Sequence, residues 1–140
     1  MSLSLRAVVL GISALLALGV AHAQDQAVQK LVGRWEGKVD VREAPEHTLI
    51  VRSLRLVGNQ WLADIDYGPN GTEPSHLEAR IERQGEKTTL SFAISTTRKV
   101  DLQLLSEREL RGLLKISDAS GSWVPRRMIL HKTSDKPSPR

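Results

Sequence analysis

Two faces alternate along Gly33-Arg34-Trp35-Glu36-Gly37-Lys38-Val39-Asp40-Val41. One face carries Trp35, valines and glycines, and the other carries only charged side chains. Alternation with a period of two residues is typical of a β-strand with one buried face and one solvated face. A Gly two residues before a Trp indicates backbone packed closely against a large ring. We therefore expect residues 31–42 to form a first strand whose core begins at Trp35.

Residues 1–23 have the composition of an export signal peptide. Arg6 is their only charged residue, an apolar run follows it, and the segment ends in Ala21-His22-Ala23, the small-x-small pattern that signal peptidase recognises. The apolar run is shorter than the ~20 residues that a membrane-spanning helix needs, which disfavours an uncleaved anchor. We expect cleavage before Gln24 and a periplasmic or secreted mature protein with no membrane span.

The remaining chain has the size and charge of one soluble domain. Removal of 23 of the 140 residues leaves 117, with 19 Lys and Arg against 16 Asp and Glu. Acidic and basic residues alternate along the chain and form no basic stripe, so nucleic acid is not an expected partner. The chain has no Cys, and its fold therefore depends on burial without disulfides.

Seven further short segments with apolar residues on one face follow the first. The predicted strands cover residues 31–42, 48–57, 60–67, 75–83, 88–96, 100–104, 110–116 and about 123–132. Residues 24–30 are a lead-in, residues 31–132 form the predicted domain, and residues 133–140, rich in Ser, Pro and charge, form a predicted disordered tail.

Short turns connect most of these strands, which favours an antiparallel meander of sequential neighbours. Eight such strands can close into a barrel and so remove their exposed edges. A β-sandwich is the alternative, but it needs longer crossovers, and only residues 66–75 are long enough to provide one. We therefore predict an all-β, eight-stranded, antiparallel up-and-down barrel.

The triplet Gly33-Arg34-Trp35, at the start of the first of eight meandering strands, resembles the signature of the lipocalins and the broader calycin superfamily. The nearest likeness is to short secreted bacterial lipocalin-like domains. The resemblance implies that Trp35 packs across the closed end of the barrel and that an Arg of the last strand lies over it. Arg126 and Arg127 are the available counterparts. The chain is shorter than full lipocalins and lacks their disulfide and C-terminal helix.

Alternation separates these two arginines. The more apolar face of the last predicted strand consists of Val124, Arg126, Met128 and Leu130. We therefore expect Arg126 to point inward and Arg127 outward. A buried guanidinium must find partners. It can stack on Trp35 as a structural lid, or it can bind a ligand carboxylate, as the resemblance to fatty-acid-binding barrels implies.

The candidate site residues lie on the predicted inward faces. Four of them are candidate ligand contacts, namely Arg126, Trp61, Tyr67 and Phe92, and the structural signature consists of Gly33, Trp35 and Arg126. An eight-stranded barrel is either just filled by side chains or able to hold one small ligand. The inward residues that could leave room for a ligand are Gly37, Ala63, Ala79 and Gly112.

No group of residues in the sequence indicates a catalytic reaction or a cofactor site. The histidines His47, His76 and His131 lie on different strands or strand ends without metal-ligand spacing. Asp64 and Asp66 share the wet face of one strand, which is more typical of a solvated surface than of an acid/base pair. We expect no catalytic residues, no metal and no cofactor.

Two functions remain after these exclusions. The favoured one is an exported, non-enzymatic, monomeric binding module that holds a small apolar or amphipathic ligand in a β-barrel. The alternative is a structural or partner-binding protein of the cell envelope with a solid core and no small ligand. In that case the outer face, where Trp123 and Ile129 are expected, contacts a protein partner.

Overall fold

A computed structural model describes residues 26–137 of the chain. One helical turn over residues 26–29 precedes eight strands: β1 (Gly33–Val39), β2 (His47–Val57), β3 (Gln60–Pro69), β4 (Ser75–Gln84), β5 (Lys87–Ser95), β6 (Arg98–Ser106), β7 (Glu109–Ser117) and β8 (Trp123–Ser134). Each strand pairs antiparallel with its neighbours in sequence, and β1 pairs with β8 to close the barrel. The predicted meander barrel is confirmed, and the β-sandwich alternative is wrong.

Every strand differs from its predicted boundaries by one to three residues at one or both ends, and three of these differences are the most informative. β1 ends at Val39, because the chain then turns through Glu43, whose φ is 59°. β6 begins two residues earlier than expected, at Arg98. β8 continues to Ser134, into the predicted tail, because β1 supplies a pairing partner there through Arg34↔Ser134. The predicted signal peptide and the last three residues lie outside the described range.

The inward faces assigned from alternation form the core. The largest fully buried side chains on the strands are Trp35, Leu49, Ile65, Leu90, Leu102, Leu110, Met128 and Leu130. Tyr67 and Phe92 are also buried, with 2% and 5% of their surfaces exposed. Val28 and Leu31, which precede β1, are fully buried as well and cover one end of the barrel. We call this the closed end.

Two inward glycines allow the backbones of neighbouring strands to approach closely, and they do not enlarge the interior. A Cβ on Gly37 would lie 1.8 Å from the Ile129 carbonyl oxygen, and one on Gly112 would lie 1.9 Å from that of Asp101. Both distances are far below van der Waals contact, so only Gly permits this backbone approach. The expectation that these two residues leave room for a ligand was wrong, because adjacent backbone fills the space.

Trp35 forms the centre of the closed end. Its ring is fully buried, and its Nε1–H donates to the Leu31 carbonyl at 2.9 Å. The Lys132 ammonium lies 5.2 Å from the ring centroid and donates to the Lys30 carbonyl at 2.7 Å. The cation over Trp35 is therefore Lys132.

This arrangement corrects the structural role expected of Arg126. Trp35 pairs directly with Lys132 in the β1–β8 ladder. Arg126 lies six residues earlier on the same strand, a separation of roughly 20 Å at the rise of an antiparallel strand. Arg126 has the expected inward parity with Met128 and Leu130, but its side chain is exposed near the opposite end of the barrel.

Candidate functional site

The end of the barrel opposite Trp35 carries the candidate site, which we call the mouth. There the odd-numbered strands end and the even-numbered strands begin. We define the mouth by the inward-facing residues nearest that end: His47, Tyr67, Leu77, Ile94, Arg98, Ile116, Val124 and Arg126. The set combines an apolar ring with two arginines, a histidine and a tyrosine, and it contains no carboxylate.

Strand geometry places Arg98 at the mouth. The Thr96-Thr97 turn reverses the chain, and the Thr97 N–H donates to the Ser95 hydroxyl at 3.2 Å. Arg98 then opens β6 two residues before the buried Val100, so it has the same inward parity. A register shift at the end of β5 accompanies the turn, and Ser95 pairs with Arg98.

Three ring side chains form a contiguous cluster beneath the rim. The His47 Nδ1 atom and the Tyr67 hydroxyl are hydrogen bonded at 2.7 Å. The Tyr67 and Phe92 rings meet edge to face, with their centroids 5.1 Å apart. Such a pair stabilises by about 0.5–1.5 kcal/mol beyond burial. The cluster therefore joins the polar rim to the apolar core along one line of contacts.

Arg98 sets the electrostatics of this cluster together with burial. Burial lowers the pKa of His47, and the positive charge of Arg98 lowers it further. Burial raises the pKa of the Tyr67 hydroxyl, and the Arg98 charge opposes that rise. At neutral pH the histidine and the tyrosine are therefore both uncharged, and the positive charge beside them belongs to Arg98.

The structure brings together only some of the residues that the sequence nominated. Tyr67 and Phe92 are in contact, and Arg126 lies at the exposed rim. Trp61 lies at the start of β3, opposite Ile81, in the half of the barrel nearer the closed end. His47 and Arg98 were missed as site residues, although alternation with Leu49 and Val100 places both inward.

A second polar cluster lies on the outer wall and corrects another expectation. Asp66 faces outward but is only 1% exposed, because Arg52 and His76 cover it and hydrogen bond to its two carboxylate oxygens. Burial acts to raise the pKa of Asp66, but these hydrogen bonds and charges outweigh it and lower the pKa. Asp66 is thus a buried structural carboxylate and not part of a solvated surface.

Comparison with known proteins does not classify the chain beyond its barrel architecture. No family model matches the sequence, and no curated protein matches it either. Within residues 26–137, no helix has the length and apolar character needed to cross a membrane. In the same range, no cluster of three or more His, Cys, Asp or Glu side chains is arranged to hold a metal ion.

Proposed function

We propose that this chain is an exported, non-enzymatic, lipocalin-like binding protein that takes a small amphipathic molecule with an acidic head at the mouth. The observation that carries the proposal is the hydrogen bond between His47 and Tyr67 at one end of a closed barrel, where the exposed Arg98 shares their inward parity and its charge acts on both groups. The sequence resemblance and the export-type segment of residues 1–23 support the family and the compartment.

The charge pattern of the mouth favours an anionic head group. Arg98 and Arg126 are both at inward positions, and neither forms an ion pair within the described residues 26–137. A guanidinium presents several N–H donors in a planar fork that matches a carboxylate or phosphate. The Tyr67 hydroxyl and the His47 ring add uncharged hydrogen-bonding groups beside the positive charge.

The apolar side chains around the mouth favour a ligand whose acidic head carries a hydrocarbon group. Leu77, Ile94 and Ile116 are partly buried and pack against the core. Covering such surfaces stabilises a complex by roughly 25 cal/mol for each Å² removed from water. A ligand with an acidic head and a short apolar body therefore satisfies both parts of the mouth.

The filled interior favours a second candidate. Trp35, Tyr67, Phe92 and Met128 all point inward and are buried. These bulky side chains fit a solid core, as in a structural or partner-binding envelope protein without a small ligand. The two candidates differ in one measurable property, which is saturable binding at the mouth.

The test is a titration of the purified protein with a fluorescent fatty acid, together with native mass spectrometry for co-purified lipid. Saturable binding is expected, and Arg98→Leu should weaken it by about 10- to 100-fold, because a charge-assisted hydrogen bond contributes about 1.5–3 kcal/mol. Arg127→Leu is the matched control, since Arg127 is an exposed arginine on the outward face of β8. Absence of saturable binding to the unmodified protein would favour the solid-core candidate.

A further inference from the structure

His47 and Tyr67 occupy neighbouring positions on the inner face of two adjacent strands. Tyr67 of β3 pairs with Leu49 of β2, and His47 lies two residues before Leu49, opposite Pro69. The two side chains are thus diagonal neighbours across the ladder, a separation that ring side chains can bridge. The hydrogen bond of 2.7 Å between His47 Nδ1 and the Tyr67 hydroxyl oxygen follows from this register.

The surroundings of Tyr67 determine the direction of this hydrogen bond. The residue is only 2% exposed, and burial raises the pKa of its hydroxyl, so the group keeps its proton at neutral pH. Within residues 26–137, His47 Nδ1 is the hydroxyl's only hydrogen-bond partner. A buried hydroxyl proton without an acceptor is costly in free energy. Tyr67 therefore donates the hydrogen bond, and His47 Nδ1 accepts it.

This hydrogen bond determines where His47 carries its own proton. Burial and the Arg98 charge lower the pKa of His47, so the neutral ring holds one proton at neutral pH. Because Nδ1 is an acceptor, that proton lies on Nε2. Nε2 has no hydrogen-bond partner within the described range. It is also not buried, since Arg83 Nε is the one buried side-chain nitrogen or oxygen of that range without a partner. A ligand can therefore reach the Nε2–H group.

The mouth consequently presents hydrogen-bond donors and no accessible side-chain acceptor. Arg98 and Arg126 are exposed guanidinium groups at inward positions, and a guanidinium only donates. The His47 Nε2–H adds a third donor, the Tyr67 oxygen is buried, and the other side chains of the mouth are aliphatic. A carboxylate or a phosphate only accepts. A primary amide or an alcohol also brings a donor, which would lose its water here without finding a partner.

We propose that Tyr67 is a positioning residue that holds His47 as an Nε2–H donor, so that the mouth selects head groups that only accept hydrogen bonds. This inference rests on the proposed function. It specifies the head as an ionised carboxylate or phosphate and disfavours the uncharged amide or alcohol of the same body. Attraction to the two arginines also favours an anion, and the experiment must therefore isolate the His47–Tyr67 pair.

The first test compares octanoate with octanamide, which have the same apolar body and different heads. Displacement of a fluorescent fatty acid measures both affinities at about pH 7.5, where His47 is neutral. His47→Phe keeps a ring at this position and removes its donor. We expect it to weaken octanoate binding by about 10- to 100-fold, as for the loss of a charge-assisted hydrogen bond, and to leave octanamide binding unchanged.

A double-mutant cycle tests whether Tyr67 acts through His47. Tyr67→Phe removes the hydroxyl and keeps the ring that contacts Phe92. Alone it should weaken octanoate binding, by less than His47→Phe does, and in the His47→Phe background it should have no further effect. The double variant replaces both partners by apolar rings, so it should fold. Thr48→Val is the matched control, because it removes a neighbouring hydroxyl on the outer face of β2 and should change neither affinity.

Nitrogen-15 NMR of the His47 ring determines the tautomer without any ligand. The unmodified protein should carry the proton on Nε2 alone, and Tyr67→Phe should populate both tautomers. A proton on Nδ1 in the unmodified protein, or a full effect of Tyr67→Phe in the His47→Phe background, would overturn the inference. Octanoate binding that is lost in Arg98→Leu would then still support the proposed function. Failure of octanoate to bind the unmodified protein would overturn both.

Discussion

The two ends of the barrel use their polar side chains differently. At the closed end, the Trp35 indole and the Lys132 ammonium each donate to a backbone carbonyl, of Leu31 and Lys30 respectively. At the mouth, His47 and Tyr67 bond to each other, and Arg98 has no carboxylate partner within the described part of the chain. The closed-end cation is satisfied within the chain, since Lys132 also pairs with the Asp135 carboxylate at 3.3 Å, whereas the mouth retains a cation that can bind an anion.

This difference predicts which changes affect stability and which affect recognition. Removal of a closed-end group leaves a cavity or an unsatisfied buried partner, and both are costly in free energy of unfolding. Removal of an exposed mouth group, Arg98 or Arg126, leaves a surface that solvent can satisfy. We therefore expect large stability effects near Trp35 and small ones near Arg98.

The largest effect is expected from Trp35→Ala. The ring is fully buried, and truncation of a buried aromatic costs about 3–5 kcal/mol. Typical domains have only ~5–15 kcal/mol of stability in total, so this variant should be marginally folded. Chemical denaturation followed by circular dichroism measures the loss. Trp123→Ala is the control, because Trp123 is 40% exposed and its removal should change the midpoint little.

A smaller effect separates Lys132 from Arg126 as the lid on Trp35. The Lys132 side chain is only 5% exposed, and Lys132→Met keeps most of its length but removes its charge. We expect a loss of about 1–3 kcal/mol, because the hydrogen bond to the Lys30 carbonyl is charge-assisted. Arg126→Leu should change stability by less than about 0.5 kcal/mol, as is usual for exposed positions.

Denaturant midpoints of these two variants measure the comparison. A large loss in Arg126→Leu with none in Lys132→Met would restore the arginine lid that the family resemblance implied. It would also require a different register between β1 and β8.

The sequence was sufficient to predict properties that depend on alternation within a strand. Each strand has a buried face and a wet face, so Trp35, Tyr67, Phe92 and Met128 could be placed inward without a structure. The same rule would have placed His47 and Arg98 at the mouth. Both were missed because the predicted strands began one and two residues too late, which left them in turns.

Properties that depend on pairing between strands could not be predicted. Lys132 lies over Trp35 because the first and last strands close the barrel in one register, and no local pattern encodes a register between distant segments. The β4–β5 ladder likewise ends at Arg80↔Ser91, before the ladders on either side of it. Asp66 looked solvated because both covering side chains come from neighbouring strands, Arg52 from a register shift in β2 and His76 from β4.

The smallest expected effect is a pH dependence of the folding stability that originates at the mouth. Burial and the Arg98 charge lower the pKa of His47, whose ordinary value is about 6.5. The unfolded chain therefore binds a proton more readily than the folded one just below that pH. Stability from the neutral His47 is complete above about pH 6.5 and is lost as the pH falls through the pKa of the folded state.

His47→Gln should remove this part of the acid sensitivity, and His131→Gln, at an exposed position on the outer face, should not. Denaturation midpoints at about pH 7.5 and about pH 5.5 provide the comparison. An NMR titration of the His47 ring gives the pKa directly. In Arg98→Leu that pKa should rise but stay below its ordinary value, because burial, the larger cause, remains.

The same titration connects the pH dependence to binding. A ligand carboxylate held by Arg98 would bring a negative charge close to His47 and raise its pKa, so binding should be accompanied by proton uptake in weakly acidic solution. Binding enthalpies measured in buffers of different ionisation enthalpy would reveal the uptake. A His47 pKa that does not change in Arg98→Leu would mean that Arg98 lies away from the mouth. The two ends of the barrel would then no longer differ in the way described above.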